Sequence, residues 1–592
     1  MSILHTIYAE NIKTCQRQLE VIKKRINLLS IGRLLGFILS VLLFIKYFQD
    51  RNLPVLLGAW LFVVVFVWLV ILNLRLKEKW QLQMKLLFIN NNELQVLENQ
   101  ASLFDDGHLA ESQETYLDDL DIFGKNSVFH VLNRTTTSHG AQRLVCLLGN
   151  PLMQKEEIVL SQEAIKTLCG QISQRQLLTA RGLLHEEESG NLFSVSEWLK
   201  GQNRLIQNRW VMAARWILPA YSVFGALYYL ATDQLQFMLT GFALCGGVTG
   251  YFVKYINLQH RLISKKQEIL EQYASILLAF QDVEAGSSVK ISLLKIQAFS
   301  ASQSIATLSR LSSWFDQRLN LLVAFFGNLL ILYDIQCMIG LESWKNAHRN
   351  HFEAWIDVVG ELETLNSLAT YAYNNKDYTY PQLLTGPLKL EATQISHPLI
   401  PSGQRIPNDF AIGTDDRLQL ITGSNMSGKT TFLRTLGVNL LLAQCGLPVC
   451  ATSFSFTPMM MLTSMRVNDS LQEHTSYFMA ELKKLQFIVH QLQKGMPALV
   501  LIDEILRGTN SEDKTFGSEQ FIKKLLQYNC LSFFATHDLS LSRLEAEFPG
   551  VIRNFCFESL LDNNELQFDY KLRSGVAKNR NASFLMKKME II

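Results

Sequence analysis

This sequence lacks closely spaced cysteine pairs, and it has no large excess of positive or negative charge. Nine cysteines are spread over 592 residues, and none forms a C-x-x-C pair. That distribution argues against a zinc site and a disulfide framework, and it suits a reducing compartment. Charged residues make up 18% of the chain and the net charge is +2. The sequence therefore carries no overall basic field that would attract nucleic acid.

Apolar residues are abundant instead, and many of them lie in runs near the start of the chain. Residues 1–33 contain six lysines and arginines and predict a basic amphipathic helix. Leu34–Phe48 is apolar, and after a short break Leu53–Leu72 carries no charge at all. The second run is long enough to cross a bilayer. We predict a transmembrane helical hairpin over residues 34–72.

A second pair of apolar runs occurs in the middle of the chain. Trp216–Ala231 and Phe237–Val253 flank a short polar loop, and aromatic residues lie near their ends, as at a bilayer interface. We predict a second transmembrane hairpin over residues 216–253; the alternative is a pair of buried core helices. A third apolar stretch, 319–339, contains Asn, Asp and Gln, so we expect it to pack inside a helical domain, with a re-entrant segment as the alternative.

Lysine and arginine crowd the outer flanks of both predicted hairpins and are missing from the loop 232–236. By the positive-inside rule, both termini and all soluble parts face the cytoplasm. We therefore expect a multi-pass protein of the inner or cytoplasmic membrane, in contact with membrane lipid. Residues 73–114 are expected to form a helical linker. Helical spacing then predicts an all-α domain over residues 115–392, interrupted by the second hairpin.

A phosphate-binding loop follows a short apolar strand in the C-terminal third of the chain. Leu418–Ile421 predicts the strand, and Gly423–Thr430 matches G-x-x-x-x-G-K-[ST]. Backbone N–H groups of such a loop bind phosphate oxygens, while the lysine reaches the terminal phosphates and the final hydroxyl binds Mg²⁺. The cofactors expected here are ATP and Mg²⁺. The candidate nucleotide-binding residues are Gly423, Ser424, Asn425, Met426, Ser427, Gly428, Lys429, Thr430 and Thr431.

Two further apolar strands end in polar residues suited to ATP hydrolysis. Ala498–Ile502 ends in Asp503 and Glu504, and Leu531–Ala535 ends in Thr536 and His537. Carboxyl ends of parallel strands meet at one edge of a sheet, so these side chains are expected near the loop. We predict that Asp503 and Thr430 bind Mg²⁺, that Glu504 is the general base, and that His537 senses the γ-phosphate. Residues 393–592 are thus predicted to form an α/β P-loop ATPase domain.

The motifs of this domain resemble those of the MutS mismatch-repair family. The segments that carry the resemblance are TGSNMSGKTTFLRTLG, HTSYFMAEL (His474–Leu482), LIDEILRGTNSED (Leu501–Asp513) and FFATHD (Phe533–Asp538). No LSGGQ-like segment of transporter-type ATPases is present, so within the ABC/MutS type the MutS branch is favoured. Residues 117–151 also resemble the start of the family's helical core or lever region.

The resemblance implies further roles. Ser476 resembles the serine that family members contribute across a dimer to the partner's nucleotide, which implies a homodimer through the ATPase domains. Its alternative role is a helix N-cap before Phe478. Arg507 and Thr509 are expected to shape the loop after the catalytic strand, and Asn408 to lie near the adenine.

The resemblance leaves two functions open. Mismatch-reading members begin with a mismatch-binding domain and a connector domain, and the first 115 residues here are expected to hold neither. One hypothesis is a membrane-anchored, DNA-binding ATPase related to mismatch repair, in which the nucleotide state moves long helices. The other is a membrane mechanical ATPase with no nucleic-acid role.

Overall fold

The computed structural model divides into a helical part and a following α/β part, and it describes residues 3–108, 115–184, 191–264, 266–424, 426–466, 477–506, 510–562 and 565–577. The helices of the first part are α1 (Ile3–Asp50), α2 (Leu53–Leu97), α3 (Thr115–Asp119), α4 (Val128–Leu132), α5 (Ser138–Gly149), α6 (Lys155–Cys169), α7 (Ile172–Gly182), α8 (Asn191–Lys200), α9 (Arg209–Thr232), α10 (Gln236–Ile263), α11 (Gln267–Phe280), α12 (Val289–Asp316), α13 (Asn328–Ile331), α14 (Tyr333–His348) and α15 (Phe352–Asn374).

The α/β part contains ten strands and four helices among the described residues. They are β1 (Gln382–Leu383), β2 (Leu390–Ile395), β3 (Asn408–Ile412), β4 (Leu418–Gly423), α16 (Lys429–Gln444), β5 (Ser453–Phe456), β6 (Met460–Ser464), α17 (Tyr477–Gln493), β7 (Ala498–Asp503), α18 (Ser511–Leu525), β8 (Cys530–Thr536), α19 (Leu544–Glu547), β9 (Ile552–Asp562) and β10 (Glu565–Ser574).

The first two helices pack against each other as a long antiparallel pair. The sequence suggested a separate basic helix over residues 1–33, but α1 is continuous for 48 residues. A separate linker was expected from residue 73, yet α2 runs on as one helix for 45 residues. The chain turns at Arg51, whose φ is +45°, and α2 then starts with a proline in its first turn, where proline is tolerated.

A second antiparallel pair, α9 and α10, coincides with the mid-chain apolar runs. Asp233, in the left-handed conformation, ends α9. Glycines bring the two helices close: a Cβ at Gly225 would lie 2.6 Å from the Phe237 carbonyl oxygen, and one at Gly241 would lie 2.8 Å from Ser222 Cα. By length and composition, α1, α2, α9 and α10 could each cross a membrane. A bent pair, Val323–Ile331 and Tyr333–His348, would make a fifth if it formed one span.

The helical domain between residues 115 and 374 is built around α15, whose side chains are buried on nearly all sides. The stretch 164–182 forms α6 and α7, and the stretch 254–283 bends at Ser264 between α10 and α11. The apolar stretch 319–339 does not pack as a unit, because its first half is exposed and only α14 is buried.

The α/β part starts before residue 393, the boundary expected from the sequence. Residues 381–401 contribute β1 and β2 to a four-stranded sheet of order β1-β5-β2-β3. The second sheet has the order β10-β9-β4-β8-β7-β6, with β9 to β6 parallel and β10 antiparallel at the edge. Helix α16 and the helical domain cover one face of this sheet, while α17 and α18 cover the other.

The helical domain and the α/β domain share one continuous apolar core. Leu120, just after α3, packs onto α16 at Gly437, where a Cβ would lie 2.8 Å from Leu120 Cδ1. Glycine is required there because any larger residue would push the two domains apart. The two domains therefore behave as packed neighbours rather than as bodies joined by a linker.

A buried ion pair fixes the first helical pair to the helical domain. Glu93 on α2 accepts hydrogen bonds from Arg134, whose Nη2 lies 3.2 Å from Glu93 Oε2, and from Asn374 Nδ2 at 2.7 Å. Tyr8 of α1 donates to Asn374 Oδ1 at 2.8 Å. Burial raises the pKa of Glu93, but the charge and hydrogen bonds of Arg134 outweigh burial and hold this pKa below its usual value. The carboxylate is thus charged at neutral pH, and its contribution to stability is lost as the pH falls below about 4.5.

Replacing Glu93 with glutamine should destabilise the fold severely, because Arg134 would keep a buried charge without its counter-ion. Loss of one partner of a buried pair costs about 3 to 5 kcal/mol. Thermal unfolding of the detergent-solubilised chain measures the effect. The matched control is Glu98→Gln, whose half-exposed carboxylate pairs with His5 and should contribute less than about 1 kcal/mol. Equal losses of stability in both variants would contradict this role of Glu93.

Candidate functional site

The phosphate-binding loop joins the central strand β4 to α16. Strand β4 is buried along its whole length and pairs in parallel with β8 and β9. Two loop residues adopt left-handed conformations, Met426 with φ +65° and Gly428 with φ +106°. Only glycine adopts the second value without strain. Helix α16 begins at Lys429, so the N–H groups of its first turn lie next to the loop, as an anion site requires.

Lys429 lies buried at the centre of the loop. Its Nζ donates to the carbonyl oxygens of Gly423 and Ser424, both at 2.9 Å. The same atom is 3.3 Å from His537 Nε2. The loop therefore holds an ammonium group among its own carbonyls, where phosphate oxygens can replace those carbonyls as acceptors.

Thr430 and Asp503 meet as the sequence predicted. Thr430 Oγ1 donates to Asp503 Oδ2 at 2.5 Å, across 73 residues of sequence. Asp503 ends β7 and is buried. A hydroxyl and a carboxylate at this spacing supply oxygen ligands of the kind that Mg²⁺ prefers.

Glu504 and His537 also lie together. His537 Nε2 is 3.4 Å from Glu504 Oε1, and Lys514 Nζ is 3.8 Å from the same oxygen. Burial, together with the charge of Lys429, lowers the pKa of His537 below the usual histidine value, although Glu504 opposes this shift. His537 is therefore a neutral imidazole at pH 7, between the loop lysine and the carboxylate of Glu504.

The backbone around Glu504 is strained, and a hydrogen bond from Leu506 to a buried glutamate holds it in place. Glu504 and Leu506 have φ values of +48° and +60°, which is unusual for residues other than glycine and typical of functional sites. Glu481, buried on α17, accepts a hydrogen bond from Leu506 N at 2.7 Å. This glutamate belongs to the SYFMAEL segment, so that motif acts here by fixing the turn that carries Glu504.

These groups line a cavity of about 790 Å³ whose donors suit a polyphosphate. Lys429, Arg405, Arg434 and Arg466 all face it. Ser427 Oγ is buried, and the described residues give it no hydrogen-bond partner. An orphaned hydroxyl among basic groups and a helix N-terminus fits a phosphate ligand, and the oxygens of Thr430 and Asp503 fit a magnesium ion. Ser424 and Thr431 belong to the loop and the first turn of α16, and Thr431 faces the cavity.

Tyr570 is a cavity residue that the sequence analysis missed. Its ring packs on the phosphate loop, since a Cβ at Gly428 would lie 3.0 Å from Tyr570 Cδ1, and its own φ is +52°. Asn408, expected near the adenine, lines the cavity but bonds to β10: Nδ2 donates to Tyr570 O at 3.0 Å, and Oδ1 accepts from Leu572 N at 2.8 Å. Asn408 thus positions Tyr570. No local sequence pattern marks this aromatic residue, because a strand register brings it to the loop.

Two aspartates of the helical domain also reach this site. Asp119 is fully buried and accepts hydrogen bonds from Thr463 Oγ1 at 2.6 Å, Arg466 N at 2.8 Å and Lys484 Nζ at 2.7 Å. Asp121 forms ion pairs with Arg434, at 2.7 Å, and with Arg466, and both arginines line the cavity. The segment from Asp119 to Asp121 therefore links the helical domain directly to the nucleotide-sized cavity.

Four residues singled out from the sequence lie outside the described residues. They are Asn425, Ser476, Arg507 and Thr509. Their roles stay predictions.

A parallel sheet with this loop, an acidic strand end beside it and a polar cavity define a P-loop nucleotide-binding domain. The family model described as MutS domain V matches residues 419–589, which include every site residue from Gly423 to His537. The chain is a member of the MutS family.

Similar proteins extend the likeness beyond this domain. The DNA mismatch repair protein MutS of Thermotoga petrophila is 26% identical over 491 residues, 77% of this chain and 60% of that protein. The MutS of Thermotoga maritima is 30% identical over 233 residues, 39% of this chain and 29% of that protein. MutS protein homolog 4 of Homo sapiens is 30% identical over 259 residues, 42% of this chain and 27% of that protein. The chain thus spans 27% to 60% of the length of these relatives.

The link between the domains predicts two different mutational effects. Asp119→Asn should cost about 3 to 5 kcal/mol of stability, because Lys484 would lose a buried counter-ion and several donors would face an amide N–H. Asp121→Asn should cost about 1 kcal/mol, because its carboxylate is 43% exposed and solvent screens its two ion pairs, although Arg434 itself is only 18% exposed. Thermal unfolding of both variants measures the difference, and a larger loss for Asp121→Asn would contradict the assignment of Asp119 as the anchor.

Proposed function

We propose that this chain is a membrane-anchored, MutS-type ATPase that binds ATP with Mg²⁺, hydrolyses it, and couples the nucleotide state to movement of its helical domain. The observation that carries the proposal is the arrangement of Lys429, Thr430–Asp503 and Glu504–His537 around one cavity. These contacts join three strand ends that are far apart in sequence. A structural role alone would not bring a lysine, two carboxylates and a neutral histidine together beside a helix N-terminus.

Each residue has a task in this reaction. Lys429 and the loop N–H groups bind the phosphates, and Thr430 and Asp503 hold the metal ion. Magnesium, when bound, neutralises the charge that develops on the transferred phosphoryl group. Glu504 Oε1 accepts a proton from the attacking water, and His537 donates to the terminal phosphate or holds Glu504 in place. The lowered pKa of His537 keeps the imidazole neutral at pH 7, so the ring can donate one N–H.

Coupling to the helical domain follows from Asp121. Its carboxylate pairs with two arginines that line the cavity, Arg434 and Arg466. Arg434 lies on α16 one turn after Thr430, on the same helix face. Phosphate oxygens that attract these arginines would compete with Asp121, while Asp119 keeps the two domains joined. Nucleotide binding would thus weaken the Asp121 ion pairs, while the Asp119 contacts between the two domains stay in place.

The tests of catalysis are Glu504→Gln and Lys429→Ala. Glu504→Gln should retain ATP binding and lose a factor of about 10² to 10⁴ in turnover, the usual contribution of a general base. Lys429→Ala should weaken binding itself. Equilibrium binding of a fluorescent ATP analogue and release of inorganic phosphate measure the two effects separately. Glu512→Gln, on the exposed first turn of α18, is the matched control and should behave as the parent does. Parental turnover by Glu504→Gln would refute the catalytic assignment.

The membrane part of the proposal rests on four long apolar helices. Side chains of α1, α2, α9 and α10 that point away from their helix partner are mostly exposed aliphatic and aromatic residues. A contiguous surface of that kind is typical of contact with lipid. The flanking basic residues favour a cytoplasmic position for both soluble domains, at the inner or cytoplasmic membrane.

Assembly is proposed as a homodimer through the ATPase domains, with Ser476 completing the partner's site as in the resembled family. Confinement to a membrane would raise the effective concentration of the two chains and favour this contact.

DNA is the proposed partner, because the relatives reported above are named as DNA mismatch repair proteins. The second candidate is a mechanical ATPase without a nucleic-acid role. The low net charge of +2 favours it, as does the buried Glu93 network that joins α2 to the helical domain.

Binding of a labelled DNA duplex to the detergent-solubilised chain at several salt concentrations separates the two. Contacts to DNA phosphates should lower the logarithm of affinity linearly with the logarithm of salt, by about 0.9 for each phosphate neutralised. The measurement is made with and without ATP. The absence of salt-dependent binding in both states would leave the mechanical ATPase as the function.

A further inference from the structure

The segment between α12 and α14 leaves the helical domain and returns to the same place. We call residues 319–333 the excursion. Arg318 immediately precedes the excursion, and Asp334 immediately follows it. These two residues form an ion pair, with Arg318 Nη2 3.0 Å from Asp334 Oδ2. Tyr333, at its end, donates its hydroxyl to Trp314 O at 2.5 Å. Since both ends are held together, the chain between them goes out and comes back on one side.

The excursion is a broken helix. It contains a π-helical turn, Val323–Gly327, followed by the short α13, and it bends by 80° into α14 at Leu332, whose φ is +52°. Asn328 Oδ1 accepts a hydrogen bond from Asp334 N at 2.9 Å, which joins α13 to the start of α14.

Its surface is apolar and exposed. No charged residue occurs between positions 319 and 333. The exposed apolar side chains are Leu319, Leu321, Leu322, Phe325, Phe326 and Ile331, with Leu321 85% exposed. A dense exposed patch of this kind on one short segment is unfavourable in water and favourable against hydrocarbon.

The excursion packs along the second helical pair. At its base, Arg318 Nη1 donates to Asn257 Oδ1 of α10 at 2.9 Å, and Gln336 Nε2 donates to Arg215 O of α9 at 2.7 Å. Further along the pair, Ser222 Oγ of α9 donates to Leu329 O at 2.8 Å. That bond satisfies a carbonyl that the short α13 leaves open, as a backbone inside a membrane requires.

The depth of the excursion follows from these contacts. Leu329 also faces Gly246 of α10, where a Cβ would lie 3.4 Å from Leu329 Cδ2. At a rise of about 1.5 Å per residue, Gly246 is about 16 Å along α10 from Asn257 and about 15 Å from the turn at the far end of the pair. The excursion therefore reaches about half-way along the two helices.

We propose that residues 319–333 form a re-entrant segment, which enters the cytoplasmic leaflet beside α9 and α10, contacts lipid acyl chains, and leaves on the side where it entered. This inference rests on the proposed membrane insertion of α9 and α10. A hydrocarbon layer is about 30 Å thick, so a segment that reaches half-way ends within it and does not cross. Within the residues that the structure describes, the chain then crosses the membrane four times, and the ATPase domain lies on the same side as α12.

The test of lipid contact uses the full chain in phosphatidylcholine vesicles that contain a photoactivatable, carbene-generating lipid. After illumination, peptide mass spectrometry locates the adducts. We expect adducts in residues 34–72, 216–253 and 319–331, with several-fold more on 319–331 than on Ile296 of α12. Ile296 is the matched control, because it is 70% exposed and apolar but lies on the helical domain away from α9 and α10.

The outcomes separate the two proposals. Adducts in both helical pairs but not in 319–331 would overturn the re-entrant segment and leave membrane insertion intact. Adducts in neither helical pair would overturn membrane insertion itself. Equal labelling of Ile296 and the excursion would also overturn the inference, since labelling would then report exposure and not lipid contact.

A second measurement decides between re-entry and a fifth span. Intact cells that express the full chain are treated with an impermeant maleimide, using Gln234→Cys at the turn between α9 and α10 and Asn350→Cys after α14. Gln234→Cys should react in intact cells, and Asn350→Cys only after the membrane is permeabilised. Reaction of Asn350→Cys in intact cells would mean that the segment crosses, which would overturn the proposal.

Discussion

The site depends on the order of three parallel strands, because that order decides which side chains meet. Strand β8 lies between β4, which leads into the phosphate loop, and β7, which carries the carboxylates. His537, which follows β8, is therefore placed between Lys429 and Glu504, at 3.3 and 3.4 Å. Thr430, in the first turn of α16, donates to Asp503 at the end of β7. A shift of one residue in the register of β8 would turn its side chains to the other face and remove this arrangement.

Polar contacts inside the shared core connect this site to the rest of the chain. Asp119 joins the helical domain to the end of β6, and Asp121 reaches the arginines of the cavity. At the other end of the helical domain, Glu93 and Asn374 join α2 to the last residue of α15, a few residues before β1. Helix α15, most of whose side chains are buried, lies between these two junctions. Packed elements of this kind transmit small displacements without absorbing them.

The exposed apolar surface is concentrated on the two helical pairs and on the excursion. In α1 and α2 the basic halves pack near the helical domain, and the apolar halves extend beyond it. In α9 and α10 the glycines allow the two helix backbones to pack closely against each other. The excursion adds a third element beside this pair, and the Arg318–Asp334 ion pair closes its base.

The sequence by itself determined the elements whose signals are local. The loop from Gly423 to Thr430, the strands that precede Asp503 and His537, and the apolar runs of the two helical pairs all follow from residue type and spacing, because phosphate binding, strand burial and helix length are properties of short segments. Their family was readable for the same reason, and the match of residues 419–589 confirmed it.

Only the tertiary structure decided which of these elements meet. The roles of Asp119 and Asp121 depend on partners more than 300 residues away, and Glu93 depends on Asn374 across 281 residues. Tyr570 reaches the loop through the pairing of β10 with β9 at the sheet edge. The continuity of α1 past Arg33 and the return of the excursion to Asp334 were equally hidden. Residues of one contact that lie far apart in the chain leave no periodic signal, since the energy of their contact appears only when the core brings them together.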